Sequence, residues 1–140
     1  VTEAVDDWCE APALNEFTQH FGPLRRTCQA ERQRYALRAR SDHSNGAGFV
    51  HGGVITAFVD EVAGTLVAEA TGRPHVTVHL ATSFIGPVRI GDLLELDCQI
   101  VKTTRSMVFL EARLFVADEI VATANLIFKA TRTGSAPAGA

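Results

Sequence analysis

The chain has 140 residues, 46% hydrophobic and 21% charged, which is enough apolar sequence for one compact domain with its own core. A net charge of −3 excludes the broad basic field that a nucleic-acid partner requires. Cys9, Cys28 and Cys98 form no C-x-x-C pair, so the sequence indicates neither a zinc site nor a disulfide framework and predicts reduced thiols in a cytoplasmic protein.

The opening "VTEAVDDWCE" is acidic and lacks the apolar core of a signal peptide. In "PALNEFTQHFG", Leu14, Phe17 and Phe21 recur at helical spacing and "GP" stops the pattern, predicting a short helix. Residues 1–23 read as an N-terminal segment, too short for a helix-turn-helix domain, ahead of a single domain at 24–130. Residues 24–40 look extended, with a hairpin turning near "AERQ". The basic residues of "LRRTCQAERQRYALRAR" are interrupted by glutamate and small residues, so they read as the solvated face of strands or as a patch for an anionic ligand.

From Gly52 to Thr71 no proline interrupts, and "TGRP" supplies a glycine stop followed by proline, which predicts one long helix. Ile55, Val59, Val62 and Leu66 share a broad apolar face. The opposite face holds Ala57, Asp60 and Gly64, small residues around one acid, as on a helix closely approached from both sides. Four strand-like runs follow: "HVTVHLATSF", "LLELDCQIV", "MVFLEARLFV" and "IVATANLIFKA". Their short connections predict an antiparallel meander, with "GPVRIGD" as a longer bend between the first two. His75 and His79 fall on one strand face of the first run. That pair reads as a polar or interface-facing side, and without further converging ligands no metal is expected. Residues 131–140 read as a disordered tail. No apolar run reaches about 18 residues without a charge, so no membrane span is expected. The fold class is α+β, a curled antiparallel sheet wrapped around one long helix.

Two features of the helix carry chemistry. The first N–H groups of a helix have no internal partner and lie at the positive end of its dipole. In "VHGGV", Gly52 and Gly53 would let a ligand oxygen approach those donors, as in an oxyanion hole; equally, paired glycines ease a tight turn into the helix. Asp60 has Thr56, Ala57, Ala63 and Gly64 at helical spacing, and no cation. A carboxylate so placed is costly to bury for structure alone and reads as functional. Glu61, about 100° away, either assists it or contacts the sheet. Gly52 and Asp60 are eight residues apart, roughly 12 Å along a helix. If both serve one reaction, they come from different subunits, and a homodimer follows.

The stretch from Asn45 through His51, Gly52 and Gly53 to Asp60, with "FIGPVRIGD" downstream, resembles the hotdog-fold thioesterases of the phenylacetic-acid-degradation type over residues 24–130. The resemblance implies dimers with a joined sheet assembling to homotetramers, and hydrolysis of acyl-coenzyme A (aryl- or fatty-acyl) without a separate cofactor, coenzyme A being part of the substrate. By position it implies Asp60 as catalytic nucleophile or general base and Gly52 as oxyanion donor. His51 would shape the turn, Asn45 would orient water or the thioester, and Thr77 would line the site. Gly53 and Glu61 join them as substrate-binding candidates. Arg25, Arg26, Arg89 and Arg105 are candidates for coenzyme A phosphates; Trp8, Phe49, Phe58 and Phe84 line a pocket or fill the core. A non-catalytic acyl-coenzyme A sensor is the alternative on the same fold. A dehydratase ranks below both, because dehydratase relatives have a different sequence around their histidine.

Overall fold

The computed structural model describes residues 8–12, 15–28 and 32–132. In chain order come β1 (Trp8–Glu10), α1 (Thr18–Phe21), β2 (Leu24–Thr27), β3 (Tyr35–Arg38), a 3-10 turn (Ser41–His43), α2 (Gly52–Thr71), β4 (His75–Phe84), β5 (Leu93–Thr103), β6 (Met107–Val116) and β7 (Glu119–Ala130). The strands form one antiparallel sheet in the order β1-β2-β3-β5-β6-β7-β4, with α2 packed against its β4 to β7 side. This is the curled sheet around one long helix that the sequence pattern predicts, and the hotdog architecture that the family resemblance implies.

The helix bounds follow from its ends. His51, extended at φ −60° and ψ 135°, caps the start through its side chain, and Gly72 stops the end in the left-handed region at φ 62°. The Gly72 N–H closes onto the Ala68 carbonyl at 2.9 Å. Ile55, Phe58, Val59, Val62, Ala63 and Val67 bury one side of α2 against alternating inward residues of the sheet. Those are Leu94, Leu96 and Cys98 on β5, Val108 to Leu114 on β6, and Ala122 to Phe128 on β7.

The N-terminal segment is shorter in helix and more integrated than its sequence suggests. The described helix spans only Thr18–Phe21, and Leu14 lies outside the described residues. Phe21 enters the core while Phe17 stays 54% exposed. The backbone carbonyls at the end of α1 are held by two side chains: the Arg40 guanidinium reaches Phe21 and Gly22, and His43 Nε2 lies 2.8 Å from the Phe21 carbonyl. The Arg40 N–H donates to His43 Nδ1, so Nε2 carries the hydrogen and this buried imidazole is a neutral structural bolt. β1 pairs with β2, and β2 with β3 in the expected hairpin; of the turn expected near "AERQ", residues 30 and 31 lie outside the described residues. The tail from 133 onward also lies outside the described residues.

Three expectations are corrected. First, β4 does not pair with β5 in a four-strand meander; it crosses to β7, and only β5-β6-β7 meander. The loop between them is drawn away from a hairpin path because Val50 N–H donates to the Val88 carbonyl and Phe49 bridges Arg89. Second, His75 and His79 do not share a face. Thr77 opposes Phe128 and His79 opposes Ile127, which leaves Val78 as an extra, bulged residue. Thr77 therefore turns toward α2 with the buried Phe128, and His79 turns outward.

Third, Cys9 and Cys28 are joined in a disulfide, brought together by β1 and β2 pairing, with Cys9 opposite Arg26. No local motif announces a bridge 19 residues long. Cys98 stays free and buried, and burial first, then the neighbouring Asp97 carboxylate, pushes its thiol up to about 12. The reactive form is the thiolate, so Cys98 is inert at pH 8. A thiol reagent at that pH is expected to find no group in the folded, unreduced chain and one after denaturation. Reduction should then bring the number to all three cysteines. Three on denaturation alone would mean that the bond is not made.

Candidate active site

The start of α2 explains the His-Gly-Gly triplet. His51 Nδ1 accepts the Gly53 N–H at 2.8 Å, and the His51 carbonyl accepts from Val54 at 3.0 Å. A β-carbon on residue 53 would lie 2.9 Å from that imidazole nitrogen, so glycine is what allows the cap to close. With Gly53 committed, Gly52 holds the first helical N–H with no partner among the described residues. The Phe84 ring packs on the side of Gly52 where a β-carbon would sit, 3.0 Å from that position. Replacing His51 with alanine is expected to cost about 1 kcal/mol of stability as the cap is lost. It should also leave two loose N–H groups where one is now aimed, lowering kcat, which thermal melts and turnover check together.

Asn45 lies in the exposed loop before the helix. Its Oδ1 accepts the Ala47 N–H at 2.8 Å, so its NH2 is the group left to face a ligand. Gly46 and Gly48, at φ 90° and 85°, turn the loop tightly around it.

Asp60 lies two turns further along the helix, half-buried, and its Oδ1 accepts from the Thr77 hydroxyl at 2.7 Å. That bond uses the one hydroxyl hydrogen and leaves the Thr77 oxygen free to accept from a water. Asp60 and Thr77 are thus brought together, as predicted side chains of one site. Gly52 and Asp60 are not: they are separated along one helix by roughly 12 Å.

Glu61 has a different task. Its Oε2 accepts from Asn15 Nδ2 at 2.6 Å and from the Thr18 hydroxyl at 3.0 Å, which ties the N-terminal segment to the middle of α2. Asn15 also takes the Thr18 N–H at 3.0 Å, capping the start of α1. Asparagine ahead of a helical pattern is a cap signal that could have placed that start. Nothing local could have joined it to a carboxylate 46 residues away.

A cleft of about 430 Å³ opens on this cluster, lined by Asn15, Asp60, Glu61, Gly64, Thr77 and Phe128 among others. Of the four aromatic candidates, Phe58 is fully buried in the core. Phe84 stands at the helix start, Phe49 lies under Arg89, and Trp8 lies under Arg34. The four candidate arginines are dispersed over β2 and two loops rather than gathered at the cleft. Among the described residues no group of three or more His, Cys, Asp or Glu side chains is placed to hold a metal ion. No described helix is long and apolar enough to cross a membrane.

Comparison with known proteins agrees with this geometry. The family profile described as "Thioesterase superfamily" matches residues 47–123, which include the His-Gly-Gly turn, Asp60 and Thr77. The "Putative esterase PA0474" of Pseudomonas aeruginosa is 35% identical over 106 residues, covering 72% of this chain and 79% of that protein. Two solved structures share the fold. A mutant of the phenylacetic acid degradation protein PaaI from Thermus thermophilus matches with TM-score 0.70 and 22% identity, over 82% of this chain and 98% of that one. An acyl-CoA hydrolase from Staphylococcus aureus, in complex with butyryl coenzyme A, coenzyme A and coenzyme A disulfide, matches with TM-score 0.69 and 20% identity, over 74% and 68%. The chain belongs to the thioesterase superfamily and is a hotdog-fold thioester hydrolase.

Proposed function

We propose that this protein hydrolyses acyl-coenzyme A thioesters at a site shared by two copies of the chain. The observation that carries the reading is Asp60, a half-buried carboxylate held by Thr77 at the edge of a cleft. The Staphylococcus aureus neighbour's complex with butyryl coenzyme A supports the substrate class. Asp60 takes a proton from a water that also donates to the Thr77 oxygen, and the resulting hydroxide attacks the thioester carbonyl. The oxyanion so formed accepts from Gly52 N–H of the second copy, with His51 fixing that turn and the Asn45 amide beside it. As the carbon–sulfur bond breaks, the proton held by Asp60 passes to the coenzyme A sulfur. Free acid and thiol result, and the carboxylate is restored.

The second copy is required by distance, because no one helix brings its own Gly52 to its own Asp60. β4 supports this arrangement. It forms the end of the sheet, its outer edge unpaired among the described residues, and exposes Val76, Val78 and Phe84 at 44% to 56%, with Ile85 just past its end also at 56%. An unpaired apolar edge strand is a template for pairing with another chain. Sedimentation reads whether pairs form and whether they assemble to the tetramer that the family resemblance implies.

The reading places the protein in the cytoplasm, where reducing conditions work against a Cys9–Cys28 bond. The thiol count above bears on that location. Release of free coenzyme A thiol across an acyl-coenzyme A panel tests the function; tight binding without release would make the protein a sensor. Single-turnover hydrolysis in labelled water separates the two roles for Asp60, since label enters its carboxylate only if it attacks the carbonyl itself.

A further inference from the structure

The cleft does not end at Asp60. It continues along α2 past Gly64, Thr65, Ala68 and Glu69, a single stripe about 13 Å long at the helical rise. Most polar groups along it are already engaged. Thr77 donates to Asp60, Glu61 Oε2 accepts from Asn15 and Thr18, and the Thr65 hydroxyl donates to the Glu61 carbonyl at 3.0 Å. What remains between the catalytic carboxylate and the Glu69 end is the Gly64 backbone, the Ala68 methyl and the Phe128 ring. A ligand group lying there gains by being apolar, because a polar one would find few open partners.

Gly64 is the unusual member. Glycine within a helix is less stable than alanine, and it persists where something needs its space or its backbone freedom. Gly53 and Gly72 have such reasons in this chain, a 2.9 Å approach to His51 and a φ of 62°. Gly64 has neither. A β-carbon there would meet only the Phe128 ring, at 3.7 and 3.9 Å, an ordinary contact. Nothing within the protomer forbids alanine. The missing side chain leaves room in the cleft just past Asp60, over the Gly64 backbone and the edge of the largely buried Phe128 ring.

We propose that Gly64 sets the size of acyl group that the site accepts. The apolar acyl part of the thioester lies over Gly64 and Phe128, one helical turn beyond the carbonyl under attack. Medium-chain and aryl groups use this room, and acetyl is too short to reach it. The proposal rests on the thioesterase reading above and adds the selecting residue. A competing use of the same space is close packing against the helix of a second copy, which would need small residues for a different reason.

The test compares wild type, Gly64→Ala and Gly64→Leu with acetyl- and octanoyl-coenzyme A, alongside melting temperature and sedimentation. In parallel, binding of both thioesters is measured by calorimetry in an Asp60→Asn background with and without Gly64→Leu. Adding or removing one methylene in an apolar site changes discrimination by about 10- to 200-fold. The ratio of kcat/KM for octanoyl over acetyl is expected to fall by that factor in Gly64→Leu and by less in Gly64→Ala. The Gly64→Ala protein should melt no lower than wild type, and the oligomer should persist. An unchanged ratio in a folded Gly64→Leu protein overturns the proposal. So does an equal loss on both substrates accompanied by dissociation, which assigns Gly64 to the subunit contact. If wild type cleaves neither these two nor any other thioester of the acyl-coenzyme A panel, the hydrolase reading fails separately. The binding ratio in the Asp60→Asn background then still decides whether Gly64 selects for length.

Discussion

Asp60→Asn is expected to lower kcat by about 10²- to 10⁴-fold, the usual contribution of a positioned general base. The substitution isolates chemistry from packing. Asparagine has almost the same volume, and its amide oxygen can still accept the Thr77 hydroxyl that Asp60 now accepts at 2.7 Å. It cannot take a proton from water. Unfolding free energies from denaturant titration should therefore stay within about 0.5 kcal/mol of wild type while turnover collapses. Thr77→Val removes the hydroxyl that orients the carboxylate and leaves the carboxylate in place, so it should fall between the two. A folded Asp60→Asn protein that releases coenzyme A at the wild-type rate would remove Asp60 from the mechanism.

The largest loss of stability is expected at Phe58, with Phe58→Ala costing about 3–5 kcal/mol. Its side chain is fully buried, on the side of α2 that meets the sheet. Small domains are stable by only about 5–15 kcal/mol, so much of the margin rests on this ring. Urea unfolding followed by circular dichroism should show a lower midpoint with an unchanged slope, since the surface exposed on unfolding barely changes. A loss below about 1 kcal/mol would mean that the helix is not seated as described. The site depends on that seating, because the Asp60 to Thr77 bond joins the helix to β4 and holds only while both are fixed to one core.

What was legible in the sequence is what local chemistry determines. The extent of α2 could be read from Gly52 to Thr71, because no proline interrupts it and a glycine stop before proline closes it. The His51 cap at its start emerges only in the structure. Asp60 stood out because a carboxylate among Thr56, Ala57, Ala63 and Gly64 has no structural reason to be there. Long-range pairing was not legible. The partner of β4 depends on the loop at 85–92, which binds back to the strand-like stretch ahead of α2 through Val50 and Val88. The roles of Asn15 and Thr18 depend on Glu61, more than 40 residues away in sequence. The disulfide likewise follows from which short strands lie side by side.

The extra residue at Val78 has a consequence for how β4 divides its labour. A strand with strict two-residue alternation that turned Thr77 toward the helix would turn Thr82 and Phe84 away from it. Because Val78 resets the count, the same strand offers Thr77 to Asp60, Thr82 to Thr56 at 3.2 Å, and the Phe84 ring to the Gly52 turn. One irregularity thus lets a single strand serve two points of its own helix, the Gly52 turn at its start and Asp60 at its middle. Loss or gain of one residue between these two points would leave each half intact and set them at odds.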